Sequence, residues 1–209
     1  MKLEIVCAGI GGRGVLLAST ILMETAIEAG YKAIASDEYG MSQRGGSVVS
    51  LIKIGDFASP LIGRENGDIL LAFEESEFYK TLFYLKKSGI AIINTEKKSL
   101  PESVQHVLQK RDIRYFLINA DGIATEKKMI QSANMAILGF FSALFFGPYT
   151  PDSIGKTIEK KVPAKFLDKI LQTKPYLTDD EELELKLLKK KKLYFKDLME
   201  KITEEMKKK

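Results

Sequence analysis

Two short stretches of this chain carry residue types that could do chemistry. In the first, Gly9-Ile10-Gly11-Gly12-Arg13-Gly14, glycines stand at G-x-G-x-x-G spacing after an apolar run and before a helix-patterned segment. Backbone N–H groups and a helix N-terminus at such a turn could receive a phosphate or carboxylate. Gly12 loosens the turn and Arg13 adds a cation beside the anion site. The plainer alternative is a strand-to-helix turn that needs glycine for close packing and binds nothing. The second stretch is Glu38-Tyr39-Gly40-Met41-Ser42-Gln43-Arg44-Gly45-Gly46-Ser47. Asp37 or Glu38 falls at the offset where a dinucleotide-binding domain keeps its ribose acid. Met41, Ser42, Gln43, Arg44, Gly45, Gly46 and Ser47 suit a different role: one apolar side chain, several hydrogen-bonding ones and flexible backbone fit a loop pressed against a large polar ligand or another subunit. Arg44 offers a rigid fork of donors for phosphate or carboxylate. For Arg44 an internal pair with Glu38 or Glu74 stays open, and for Arg13 too the choice between phosphate and an ion pair is undecided. The candidate binding set is Gly11, Gly12, Arg13 and Gly14 with Met41 to Ser47, and no residue stands out as catalytic.

Other chemistries are restricted by what the sequence lacks. Its one cysteine, Cys7, precludes an internal disulfide and any zinc or iron-sulfur site built from several thiolates of this chain. Cys7 lies in an apolar strand pattern and reads as a core residue. The one histidine, His106, sits in a polar stretch and reads as a surface side chain, so a histidine metal cluster is impossible. The net charge of +4, from 32 basic and 28 acidic residues, gives no reason to expect a nucleic-acid or membrane partner. Glu4 interrupts the apolar run a secretory signal would need, and Ala133 to Phe146 falls short of the roughly 20 apolar residues that span a bilayer. The chain is expected to be cytoplasmic, with no transmembrane helix.

Positioning both loops at one end of a sheet requires an α/β framework. Leu3 to Ala8 reads as a strand, Val15 to Ala29 as a helix closing at Gly30, and Lys32 to Ser36 as a second strand feeding the Glu38 to Ser47 loop. Ser47 to Ile54 is β-branched and follows through a loop too short for a crossover helix, which predicts an antiparallel element. Asp68 to Phe73, Gly89 to Asn94 and Tyr115 to Asn119 read as further strands, with a helix from about Ser76 to Lys87. The segment Thr95 to Arg111 has no clear pattern. The expected architecture is a doubly wound, mostly parallel sheet flanked by helices, Rossmann-like, with loops at the strand ends where such sheets place ligands.

Ala133 to Phe146 is apolar nearly all round, implying burial in this domain or against another subunit. Thr150-Pro151-Asp152 reads as a helix cap and first turn, and Pro163 as the start of another helix. Residues 1–175 are expected to form one domain. Residues 176–209 read as a charged amphipathic helical extension: Glu182 with Lys186, Asp197 with Lys201 and Glu204 with Lys208 stand at i, i+4. The lysine run Lys189 to Lys192 reads as a solvated helix face.

Several of these stretches, in their order, resemble one family: Gly9-x-Gly-Gly-x-Gly14-Val-Leu, Tyr39-Gly40-Met41-Ser42-Gln43-Arg44-Gly45-Gly46-Ser47-Val48, Ser59-Pro60-Leu61-Ile62, and Asp68 to Glu74. With Asn134-Met135 and Leu138-Gly139 they are similar to the gamma-type subunit of 2-oxoacid:ferredoxin oxidoreductases, most of all the beta chain of indolepyruvate:ferredoxin oxidoreductase. The resemblance covers about residues 3 to 170, and Gly-Met-Ser-Gln-Arg is its most specific part. Arg13 stands where the family usually has glutamine, and Tyr39 replaces a common histidine.

The resemblance implies oxidative decarboxylation of a 2-oxoacid, an indolepyruvate or other arylpyruvate, to an acyl-coenzyme A, with electrons passing to ferredoxin. It implies that thiamine diphosphate, magnesium and [4Fe-4S] clusters reside on a larger partner subunit, with coenzyme A as cosubstrate at a cleft this chain helps to wall. A homodimer of the isolated chain stays open. Two other classes stand beside this one: a free-standing NAD- or FAD-binding oxidoreductase, and a non-catalytic assembly module.

Overall fold

A computed structural model of the chain describes residues 1–40, 45–126 and 133–161. The apolar run Leu3–Ile10 forms β1 at the centre of the sheet. Because side chains alternate across a strand, Ile5 and Cys7 enter one layer of core while Val6 and Ala8 enter the other, and all four are buried. α1 (Val15–Glu28) then leads to β2 (Ala33–Tyr39) and β3 (Ser47–Ile54). β4 (Gly67–Ala72), α2 (Glu75–Thr81), β5 (Leu85–Asn94), α3 (Glu102–Lys110) and β6 (Arg114–Ile118) complete a six-stranded sheet of order β2-β3-β1-β4-β5-β6. β1, β4, β5 and β6 run parallel, and β3 is antiparallel to both its neighbours. The expected mostly parallel, doubly wound sheet is therefore present, as is the antiparallel strand that the short connection after β2 demanded.

Three helices after β6 build one outer layer with α1: α4 (Ala120–Glu126), α5 (Ala133–Ser142) and α6 (Pro151–Lys161). They cover the face holding Ile5 and Cys7, while α2 and α3 cover the other. α5 owes its all-round apolar character to this domain, where every one of its residues except Phe140 is buried. Phe140 packs on Phe116 of β6. α6 begins where expected, with Pro151 at its first position and the Ser153 amide donating to Thr150 Oγ1 at 3.1 Å. It lies along α1, joined by a buried Thr25 Oγ1–Thr157 Oγ1 hydrogen bond of 2.9 Å and an exposed Lys160–Glu28 pair at 2.7 Å.

Two boundaries correct the sequence reading. The helix expected to run to Lys87 ends at Thr81, passes through a 3-10 turn at Leu82–Tyr84, and gives way to β5 at Leu85. Lys86 is drawn into the strand by an ion pair with Asp68 of β4, and the register with β4 slips between Gly67 and Ile69, where Ser88 takes a left-handed φ of 60°. β2 also runs on to Tyr39, so Glu38 and Tyr39 belong to the strand rather than the loop. The unassigned Thr95 to Arg111 segment contains α3, whose one buried residue, Leu108, leaves little apolar pattern to read. Among the described residues no helix is long and apolar enough to cross a membrane. The helix expected from Pro163 and the amphipathic C-terminal region lie outside the described residues.

Candidate functional site

The two glycine-bearing loops meet. Gly11 N donates to Gly46 O at 2.9 Å, and Gly40 N donates to Ser47 O at 2.7 Å, closing the end of the β2–β3 hairpin. Between them opens a cleft of about 700 Å³, walled by Gly11, Gly12, Gly14 and Leu16 on one side and by Tyr39, Gly40 and Gly45 to Val48 on the other. Tyr39, 63% exposed, stands at the rim. Met41, Ser42, Gln43 and Arg44 lie outside the described residues, but Gly40 and Gly45, which flank them, both line the cleft.

Two glycines of the first turn, Gly9 and Gly14, have a packing reason. A Cβ on Gly9 would come within 2.7 Å of Val15 Cγ2 and 2.9 Å of Phe73 Cβ, so only glycine lets the turn lie against the start of α1 and the end of β4. Gly14 is the N-cap of α1 with a left-handed φ of 72°. Its carbonyl accepts from Asn134 Nδ2 at 3.2 Å, which ties the turn to the buried start of α5. No side chain caps the N-terminus of α1 and no acidic residue occupies its first turn. The positive end of the helix dipole thus faces the cleft without a carboxylate against it, an arrangement that favours an anion.

Arg13 is engaged elsewhere. Its guanidinium forms an ion pair with Glu74, the N-cap of α2, and a second with Asp121 of α4, Nη1 to Oδ1 at 2.6 Å. Asn94 at the end of β5 donates to Asp121 Oδ2 at 2.9 Å and to Phe73 O at 3.0 Å, and accepts from Ala120 N at 3.0 Å. Parallel sheets place ligands where chain connections diverge, here between the ends of β1 and β4. In this chain Arg13, Glu74 and Asp121 fill that crevice, and the open cleft lies on the other side of the glycine turn, over β3.

The topology also bears on a ribose-binding acid. In a dinucleotide fold the second strand lies beside the first; here β3 intervenes, setting β2 roughly 10 Å from β1 at ordinary strand spacing. Asp37 accepts from Ser50 Oγ at 2.5 Å. Glu38 bonds Tyr84, whose hydroxyl pKa is raised by burial and by that carboxylate. Neither acid lines the cleft.

α2 carries acids that sequence reasoning passed over. Glu77, 1% exposed, accepts from Ser47 Oγ at 2.5 Å and from Lys80 Nζ at 2.7 Å. Glu75 accepts from Tyr79, Thr95 and Lys97; burial opposes its charge, but these bonds outweigh it and hold its carboxyl at about 2, below an ordinary 4.5. Glu74, Glu77 and Asp121 look like ordinary helix-start acids in the sequence, and only the tertiary fold brings Arg13 to Glu74 and Asp121 and Ser47 to Glu77. Cys7 is a core residue whose thiol is pushed well up by burial and then by Asp37, and His106 is exposed, as expected for both.

A family model described as pyruvate ferredoxin/flavodoxin oxidoreductase matches residues 4–173. The indolepyruvate oxidoreductase subunit IorB of Archaeoglobus fulgidus is 30% identical over 181 residues, 80% of this chain and 90% of that protein. In fold the chain resembles the keto/oxoacid ferredoxin oxidoreductase gamma subunit from Geobacter sulfurreducens PCA, with a TM-score of 0.66 and 23% identity over 96% of this chain and 98% of that one. It also resembles 31% of the chain of 2-oxoglutarate:ferredoxin oxidoreductase from Magnetococcus marinus, a structure with 2-oxoglutarate, coenzyme A and succinyl-CoA bound, at a TM-score of 0.68 and 16% identity over 97% of this chain. The family match over most of the sequence, the relative's identity across nearly its whole length and the shared sheet lead to one conclusion: this chain belongs to the pyruvate ferredoxin/flavodoxin oxidoreductase family, as a subunit of the gamma type.

Proposed function

We propose that this chain is the coenzyme A-cleft subunit of a thiamine-dependent 2-oxoacid:ferredoxin oxidoreductase acting on an arylpyruvate. The observation that carries the reading is the cleft itself: it lies between the glycine turn and the end of the β2–β3 hairpin, and the residues flanking Met41 to Arg44 line it. The curated relative named for indolepyruvate supports the aromatic substrate, and the larger structure neighbour with bound coenzyme A supports the cosubstrate.

The redox groups do not fit this chain's donors. A [4Fe-4S] cluster takes four thiolates, and the one cysteine, Cys7, is buried with its thiol held protonated. Among the described residues no group of three or more His, Cys, Asp or Glu is placed to hold a metal ion. In this reading thiamine diphosphate with magnesium and the clusters, which supply decarboxylation and electron transfer to ferredoxin, belong to a larger partner subunit. This chain's part is binding and orientation. The α1 N-terminus and the Gly45 and Gly46 amides offer donors to the phosphates, Arg44 supplies the neighbouring cation, and Arg13, held by Glu74 and Asp121, fixes the turn. Tyr39 and Leu16 give the cleft its apolar wall.

The test is Arg44→Ala in the chain assembled with its partner. Removing the fork of donors is expected to raise the KM for coenzyme A about tenfold or more while leaving the KM for the oxoacid nearly unchanged. An unchanged KM for coenzyme A would remove the phosphate role. The position of β3 between β1 and β2 weighs against direct NAD or FAD binding, for which titration of the pure chain is the check.

A further inference from the structure

α2 and its N-cap hold both segments that wall the cleft, the glycine turn from behind through Arg13 and the hairpin through Ser47, with two carboxylates one turn apart. Glu74, its N-cap, holds Arg13 of the glycine turn. Glu77 accepts from the hydroxyl of Ser47, where the hairpin loop enters β3, at 2.5 Å. The two acids are locked together by the α2 turn itself, in which Glu77 N donates to Glu74 O at 3.1 Å. Ser47 points to the α2 side because it shares strand parity with Val49 and Leu51, both buried in that layer of core. A carboxylate as buried as Glu77 is tolerated only when paired and hydrogen-bonded, so the Ser47 hydroxyl and the Lys80 ammonium are what its burial requires. Neither acid lines the cleft.

We propose that Glu74 and Glu77 are positioning residues: through Arg13 and Ser47 they clamp the two walls of the cleft to one short helix and set the gap into which the cosubstrate fits. The Gly11–Gly46 backbone bond fixes the floor, and the α2 carboxylates fix the outer edges. This rests on the coenzyme A reading above as to what the gap receives, but the clamping itself does not. The sensitivity of a bound pose to displacements of about 1 Å makes such distant anchoring consequential, worth up to about a hundredfold.

The experiment uses the full chain assembled with its partner, carrying Glu77→Leu, Glu77→Gln, Ser47→Ala or the Glu77→Leu/Ser47→Ala pair. Two readouts are taken: the KM values for coenzyme A and oxoacid, and amide exchange over residues 45–50. Glu77→Leu is expected to raise the KM for coenzyme A about tenfold with kcat and the oxoacid KM within about twofold, and to speed exchange at Gly45 to Val48. Glu77→Gln, which keeps an acceptor for Ser47, restores most of both. The double variant is no worse than Glu77→Leu alone, because the second change removes a bond already broken. Unchanged exchange at Gly45 to Val48, or additive losses in the double variant, would overturn the clamp. If Glu77→Leu does not fold, Ser47→Ala with the exchange readout decides: faster exchange supports the clamp and unchanged exchange ends it. Faster exchange alongside an Arg44→Ala variant of normal KM would leave the clamp standing and remove the coenzyme A reading. A raised KM in Arg44→Ala with Glu77→Leu silent in both readouts would do the reverse.

Discussion

Gly14 meets two demands that no other residue can meet together. Its φ of 72° lies in the left-handed region, and a Cβ there would stand 2.2 Å from Asn134 Nδ2, inside a contact the buried start of α5 cannot yield. The left-handed conformation alone costs an L-residue about 1–2 kcal/mol. Displacing Asn134 breaks its bond to the Gly14 carbonyl and adds a similar amount. Gly14→Ala is therefore expected to lose about 2–4 kcal/mol in urea unfolding, and a loss under about 1 kcal/mol would contradict this account of the turn. The need for glycine at Gly9 and Gly14 was legible from spacing alone, since both sit in a strand-to-helix turn. The partners that enforce it were not, because Phe73 and Asn134 are 64 and 120 positions away and reach the turn only through the sheet and the second helical layer.

At the scale of elements, α2 shows why the sequence named the loops of the candidate site but not their support. Its acids stand at a helix start, where carboxylates usually face water and complement the dipole. Here Glu75 is tied to Thr95 and Lys97 just past β5, and Tyr79 shares the bond, its hydroxyl pushed up to about 12 by burial and by that carboxylate. A carboxyl held at about 2 in the folded chain and near 4.5 unfolded contributes stability that is complete above about 4.5 and lost as the pH falls toward about 2. Urea midpoints measured across that window should fall more steeply for the native chain than for Glu75→Gln, and parallel profiles would refute the pairing. The β3 strand was legible in direction because its loop is too short to cross the sheet. The early end of α2 was not, because the lysines that follow fit a helix surface as well as a strand, and the Lys86–Asp68 pair that recruits them is a tertiary contact.

At the scale of the whole molecule, the described residues build one six-stranded sheet covered by helices on both faces. The crevice a nucleotide fold would use is filled by Arg13, Glu74 and Asp121, while a cleft of about 700 Å³ opens over the antiparallel strand. The alternation of strands and helices made the sheet legible, and the all-round apolar pattern made α5 legible as buried, but no local pattern could tell that the domain itself covers it. Under the proposed function, membership in the oxidoreductase family and a single cysteine assign this chain a contribution of shape and charge. The direct test is an anaerobic assay of the full chain, alone and with the larger subunit proposed to carry the clusters, supplied with arylpyruvate, coenzyme A and a dye acceptor. No dye reduction is expected from either subunit alone, and coenzyme A-dependent reduction when the two are combined; reduction by this chain on its own would contradict that division of labour.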